Sequence, residues 1–163
     1  MKIVTASPAD IEVIRHLANV IWHDAYKDIL SKQQLHYMLN KFYSKHALEQ
    51  QLKDGHVFFL SIIKEKAVGY ASFSALEDGR NFKLHKLYVL PEQQKSGAGK
   101  ALLTEVIKRV NDARGKSLLL NVNRNNGALS FYQKMGFAIL REEDIDIGEG
   151  YYMNDYVMEL PIN

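Results

Sequence analysis

The hydrophobic pattern changes period once, at Gly55, and that change limits the fold more than any other feature of the chain. Before it, apolar residues recur at helical spacing. Ile11, Ile14, Leu17, Ala18, Ile21 and Trp22 form one stripe, and Leu35, Met38, Leu39 and Phe42 form a second. Each stripe has a start signal. Ser7-Pro8 sets an N-cap serine before a proline at the first helical position, where the missing N–H costs nothing. Ser31-Lys32-Gln33-Gln34 reads as a capping box. A short helix over Lys45 to Lys53 should stop at Gly55. Beyond Gly55 the apolar runs become too short and too β-branched for helices. His56 to Ile63, Ala67 to Ala75 and Asn81 to Leu90 read as a three-strand meander, with Gly69 marking a bulge or a close backbone contact. A helix over Gly99 to Ala113, a buried strand over Ser117 to Val122 and a helix over Asn126 to Met135 follow. Two last strands, Phe137 to Ile147 and Tyr151 to Leu160, flank Gly148-Glu149-Gly150. With Lys2 to Ala6 at the start, the strands number about seven. No linker or repeat intervenes, so residues 1–163 should form one α/β (α+β) domain, a mixed, mainly antiparallel sheet with helices on both faces.

Composition removes several function classes. Apolar residues are 47% and charged residues 25%, so disorder is not the default. The net charge of +2 gives no bulk attraction to nucleic acid. The absence of cysteine excludes a disulfide scaffold, a cysteine-based zinc site and a cysteine nucleophile, and it fits a reducing cytoplasm. No metal is expected. Met1 to Thr5 reaches polar residues at once, and no apolar run approaches the roughly 20 residues of a membrane span, so neither a signal peptide nor a membrane partner is expected.

Gln94-Lys95-Ser96-Gly97-Ala98-Gly99-Lys100 lies between an expected strand and an expected helix. A helix N-terminus offers free N–H groups and about half a positive charge, which attracts phosphate. Gly97 and Gly99 would let backbone and ligand meet closely, and Lys95 and Lys100 add full charges. The bland alternative is a solvated glycine-rich turn. Two other phosphate motifs fail. A P-loop needs glycine where Gln94 stands and Ser or Thr where Ala101 stands, and a dinucleotide fingerprint needs three spaced glycines in an early βαβ unit.

Gln94-x-x-Gly97-x-Gly99 resembles the Gln/Arg-x-x-Gly-x-Gly/Ala turn of the GNAT acetyltransferases, and Leu87-Tyr88-Val89-Leu90-Pro91 is similar to the strand end that precedes it there. Asn125-x-x-Ala128-x-x-Phe131-Tyr132-x-x-x-Gly136-Phe137 resembles the family's second motif. The close match spans about Lys83 to Phe137. Tyr151 to Leu160 resembles the last strand of bacterial polyamine-type members. The resemblance implies an acetyl-CoA-dependent N-acetyltransferase acting on a primary amine, a small amine or polyamine, by direct attack in a ternary complex. A protein or peptide acceptor, and a CoA-binding sensor that has lost catalysis, are the alternatives. A homodimer is expected from family habit alone.

The chemistry needs a neutral amine, a stabiliser of the oxyanion and a proton for the departing thiolate. Freeing a lysine-like amine of its proton near neutral pH costs about 4.6 kcal/mol, so a base or a water chain is required. His85 lies four residues before Val89, so regular alternation puts both on one strand face. Serotonin acetyltransferases carry a histidine at the matching place. Many other members use glutamate there, and this chain has none between Arg80 and Val89. His85 or water is therefore the expected base, with an ordinary polar strand histidine as the alternative. The resemblance makes Tyr132 the proton donor to sulfur and Phe131 a core residue. It pairs the backbone of Leu87, Tyr88 and Val89 with the pantetheine arm, and aims the Val89 N–H at the thioester carbonyl. Gln94 to Lys100, including Ser96 and Ala98, would hold the pyrophosphate. Asn125 would bond the cofactor, although Asn121, Asn123 and Asn126 compete for that role or for a helix cap. Trp22, Tyr26 and Tyr152, with Asp24, Asp28 and Tyr37 nearby in sequence terms, are the acceptor-site candidates. Trp22 and Tyr37 serve equally well as core.

Overall fold

A computed structural model describes residues 1–163. The chain runs β1 (Lys2–Thr5), α1 (Ile11–Ala25), α2 (Lys32–Tyr43), α3 (Lys45–Lys53), β2 (Val57–Ile63), β3 (Lys66–Ala75), β4 (Asn81–Val89), α4 (Ala98–Asp112), β5 (Ser117–Asn123), α5 (Ala128–Lys134), β6 (Ala138–Gly148) and β7 (Tyr151–Pro161). The strands form one sheet in the order β1-β2-β3-β4-β5-β7-β6, and only β4 and β5 run parallel. Helices α1 to α3 cover one face over a core that includes Ile14, Leu48, Phe58 and Tyr70. Helices α4 and α5 cover the other over Leu102, Val106, Leu118 and Met158. The mixed, mainly antiparallel architecture expected from the sequence is present.

The start signals act much as the residues dictate. Ser7 caps a 3-10 turn at Pro8–Asp10 that leads into α1, and Asp10 returns the bond to the Ser7 N–H at 2.8 Å. Ser31 accepts from the Gln34 N–H at 3.1 Å, but Gln34 does not complete a capping box. Its side chain instead donates to the Tyr152 carbonyl at 2.9 Å. Tyr37 donates likewise to the Ile147 carbonyl at 2.6 Å, so α2 is tied onto the β6–β7 hairpin. Gly55 ends α3 with φ +92°, a left-handed conformation that favours glycine.

Two irregularities shape β3 and β4. The β2–β3 register shifts after the Ser61–Gly69 pair, so the bulge expected near Gly69 is there. A Cβ on Gly69 would lie 2.8 Å from both Ser61 Oγ and the Tyr88 carbonyl, so the close contact is there too. A second shift lies between β3 and β4: Ser72 faces Lys86 and Phe73 faces Leu84, leaving His85 as the extra residue. Leu84, Leu87 and Val89 then pack toward α4, while Lys86 lies over Tyr43 and Phe58 on the α1–α3 side.

Candidate active site

Strands β4 and β5 pair only from Asn81–Ser117 to Leu84–Leu120, and then part. The splay leaves a wedge of about 140 Å³ bordered by Leu87, Val89, Gln94, Asn121, Asn126 and Tyr132. Its β4 wall carries free backbone groups. Leu90 N–H donates to the Val68 carbonyl on β3 at 2.8 Å. Successive strand residues point their polar groups to opposite edges. The N–H and C=O groups of Leu87 and Val89 therefore turn away from β3, toward the edge that β5 has left. Tyr88 turns its backbone to β3 and its side chain to α1, where its hydroxyl shares a 3.0 Å hydrogen bond with that of Tyr26.

The glycine turn closes the mouth of the wedge. Gly97 is the N-cap of α4 with φ +89°, and a Cβ there would meet nothing within 4 Å. Its glycine is explained by backbone conformation rather than by crowding within the chain. Gly99 has no positive φ, and its Cβ would lie 3.8 Å from Val89 Cγ2 and Phe131 Cζ, ordinary contact. Ser96 Oγ accepts from the Ala98 N–H at 3.2 Å, and Ala101 N–H donates to the Gly97 carbonyl at 2.9 Å. The amides of Gly97, Gly99 and Lys100 have no acceptor in the chain. Three free amides at the start of a 15-residue helix, flanked by the exposed Lys95 and Lys100, form an anion cradle.

Tyr132 projects from α5 into the wedge. Of the four buried tyrosines, Tyr43 and Tyr70 bond to each other through their hydroxyls at 2.8 Å and Tyr26 bonds to Tyr88, but the Tyr132 hydroxyl has no partner in the chain. Burial, and secondarily Tyr26, raises its pKa, so the hydroxyl stays protonated at any working pH. Asn125 is exposed and outside the wedge, with its backbone N–H donating to Asn123 Oδ1 at 2.9 Å. Asn126 and Asn121 border the wedge instead, and Asn126 also caps α5 through the Ala128 N–H at 2.9 Å.

His85 does not share a face with Val89. The bulge inserts one residue, which reverses the alternation between them, and His85 turns to the α1–α3 side. Its Nε2 is 2.7 Å from Ser74 Oγ, and its ring stacks on His56 with centroids 4.1 Å apart. Burial first, then His56, Lys86 and Lys83, lowers its pKa to about 3. A base that weak holds little of an amine's proton at neutral pH.

A second cavity, of about 320 Å³, lies on the α1–α3 side of β4 and β5. Trp22, Tyr26, Tyr43 and Tyr88 give it aromatic walls, and Tyr152, half exposed, stands at its rim. Lys86, Tyr88 and Asn121 border both cavities, so the two meet where β4 and β5 part. The sequence reading missed two of its residues. Asp155 is buried on β7, with Asn121 Nδ2 donating to its carboxylate at 3.4 Å, and burial raises its pKa. Lys86 is only 8% exposed, and burial lowers its pKa from 10.5 to about 8. Period-2 alternation along Tyr151 to Leu160 places Asp155 with Met153 and Val157, a signal that could have found it. For Lys86 the signal is ambiguous: alternation from Tyr88 puts it on this side, whereas alternation from Phe82 and Leu84 puts it on the other, because the bulge at His85 intervenes.

Lys86 makes stability depend on pH. Between pH 8 and 10.5 the unfolded chain holds a proton on this lysine that the folded chain has lost, so stability rises with pH across that window. Below pH 8 the destabilisation is present in full, at most roughly 3 kcal/mol. Lys86→Met is expected to be more stable than the parent at pH 7, with the gap shrinking by pH 10. Urea unfolding of both proteins at the two pH values checks this, and an equal gap at both would contradict it.

The comparisons with known proteins agree with this geometry. A family model described as "Acetyltransferase (GNAT) domain" matches residues 26–160. The spermidine N(1)-acetyltransferase of Thermoplasma acidophilum is 26% identical over 165 aligned positions, covering 98% of this chain and 96% of that protein. The [ribosomal protein bS18]-alanine N-acetyltransferase of Haemophilus influenzae is 30% identical over 91 residues, covering 56% of this chain and 58% of that protein. The crystal structure of the PaiA N-acetyltransferase of Thermoplasma acidophilum in complex with coenzyme A superposes with a TM-score of 0.82 at 25% identity, covering 99% of each chain. No helix is long and apolar enough to cross a membrane. A strand pair that parts beside a helix-start anion cradle, in a chain matched by that model over most of its length, places this protein in the GNAT family of N-acetyltransferases.

Proposed function

We propose that the chain moves the acetyl group of acetyl-CoA to the primary amine of a small acceptor, by direct attack with both bound. The observation that carries this is the junction of the two cavities at the β4–β5 splay, with the unpartnered Tyr132 hydroxyl in one and the buried Asp155 carboxylate in the other. The donor set suits the cofactor. The free amides of Gly97, Gly99 and Lys100, with Lys95 and Lys100, match a diphosphate, and the outward backbone of Leu87 and Val89 matches an amide-bearing arm. Gln94 borders the wedge, while the Ala98 N–H, expected in the cradle, is already taken by Ser96 Oγ. Acetyl-CoA supplies a thioester whose carbonyl carbon the amine attacks and whose sulfur leaves. The Val89 N–H donates toward the carbonyl oxygen as negative charge grows there. The Tyr132 hydroxyl donates to the sulfur. Asp155 takes the amine's proton, a role its raised pKa favours and the weak His85 does not fill.

The cavity favours a small acceptor over a polypeptide. The bonds from Gln34 to Tyr152 and from Tyr37 to Ile147 draw α2 over the β6–β7 hairpin and roof the cavity. Trp22 and Tyr26 then contribute aromatic wall, and Tyr152 the rim.

Mass-spectrometric detection of acetylated product, after incubation with acetyl-CoA and small amines or peptide N-termini, tests the proposal. Small amines should be acetylated and peptides should not. Product from peptides alone would reverse the acceptor class, and no product from any amine would leave a binding module. With the active amine, Asp155→Asn should slow transfer roughly tenfold to 100-fold at pH 7 and less at pH 9.5, where more of the amine is already neutral. His85→Ala should change it less than about threefold across that range. The reverse order of effects would restore His85 as the base.

A further inference from the structure

Lys86 and Lys83 both border the second cavity without an ion pair, and of the two only Lys86 is buried. Every ion pair lies elsewhere, and no hydrogen bond uses its ammonium. The ammonium rests over the rings of Tyr43, at 5.0 Å, and Phe58, at 5.9 Å, which offset part of its burial cost but carry no counter-charge. It is not among the polar atoms sealed from solvent, so it opens into the cavity that it borders. Ser72 faces it across the strand pair, and the Ser72 hydroxyl is buried without a hydrogen-bond partner. The cavity also holds Asp155, only 2% exposed, bonded by Asn121 but by no cation. Lys86 and Asp155 do not form an ion pair with each other, although both border the same space. An unpaired buried charge is expensive to keep, and a ligand of opposite charge offsets that cost.

A polyamine answers only half of this cavity. Its ammonium groups suit Asp155, but they meet Lys86 as a like charge, and Lys83 borders the same space. A molecule with one cationic and one anionic end answers both. We infer that the acceptor is a zwitterion, an amino acid or a closely related amino-carboxylate, whose carboxylate pairs with Lys86 while its amine lies toward Asp155. The volume of about 320 Å³ and the aromatic walls suit a molecule of that size with an apolar body. This inference names the acceptor class for the transfer reaction proposed above and rests on that reading.

The test uses amine pairs that differ only by a carboxylate: phenylalanine with phenethylamine, ornithine with putrescine, and lysine with cadaverine. Acetyl transfer by the full-length protein is measured as kcat/KM, and binding in the presence of CoA is measured by calorimetry. The carboxylate member of at least one pair should be favoured by about 10- to 100-fold in both, the range for a charge-assisted contact in a buried site. Lys86→Met should collapse that ratio through KM rather than kcat, and Lys86→Arg should keep most of it. Equal use of both members of every pair, preference for the decarboxylated members, or a ratio unchanged in Lys86→Met would overturn the inference. If no amine is acetylated, the transfer reading fails separately, and the calorimetric ratios still decide whether the cavity selects a carboxylate. Should Lys86→Met not fold, the ratios of the parent and of Lys86→Arg decide.

Discussion

Tyr132→Phe is expected to leave acetyl-CoA affinity within about twofold of the parent and to slow acetyl transfer about 10²- to 10³-fold. The ring stays where it is, because its contacts are to Phe131 and Phe137, with centroids 5.4 and 5.7 Å away, and neither involves the hydroxyl. What is lost is the one buried tyrosine hydroxyl that the chain leaves without a bond. Burial raises the pKa of Tyr132, so full proton release is harder than for a free tyrosine. In the proposed reaction the hydroxyl would therefore act first as a hydrogen-bond donor to sulfur as charge gathers on it, and give up its proton only late. A donor that meets charge absent from the ground state lowers the barrier without tightening binding. The loss should appear in single-turnover rate and not in calorimetric affinity. It should shrink for an acyl donor with a more acidic leaving thiol. Parent-like rates with both donors would reduce Tyr132 to a packing residue and require another acid.

The order of strands and helices was legible because each element has its own period and its own end signal. Ser7-Pro8, Gly55 and Gly136 punctuate the chain where the elements begin and end, and boundaries moved by one or two residues, except that α1 starts three residues late, after the 3-10 turn at Pro8–Asp10. The glycine turn before α4 was legible for the same local reason: seven consecutive residues carry both the backbone freedom and the charge. The inside of the site was not. One extra residue in β4 turns His85 away from the face of Val89, and no residue type announces that insertion. The asparagines failed in a related way. Four of them lie within six positions, and it is the turn after β5 that faces Asn126 to the wedge and Asn125 to solvent. The second cavity draws on α1, α2, β4, β5, β6 and β7, so no local window contains it. Trp22 and Tyr26 illustrate the ambiguity, since both are core residues and both form its wall.

Gly99→Val is expected to weaken acetyl-CoA binding by about 100-fold or more while leaving the fold intact. The two glycines of the turn have different reasons to be glycine, and the difference makes this variant the cleaner probe. Gly97 has φ +89°, so any side chain there strains the N-cap before a ligand is considered. Gly97→Val should therefore lose stability and binding together. Gly99 has ordinary backbone angles, and its added Cβ would touch Val89 and Phe131 only at 3.8 Å, so the apo-protein accommodates it. Branched methyls would then stand beside the free amides of Gly97, Gly99 and Lys100 and hold a phosphate away from them. Hydrogen bonds to a charged group are each worth about 1.5–3 kcal/mol, and losing two of them gives about 3–6 kcal/mol. That range corresponds to roughly 10²- to 10⁴-fold in the dissociation constant. Calorimetry with acetyl-CoA and urea unfolding, run on the parent and both variants, separate the outcomes. Parent-like affinity in Gly99→Val would move the pyrophosphate off this turn. Weakened affinity accompanied by an equal loss of folding stability would show that the helix start had been damaged rather than the cradle it forms.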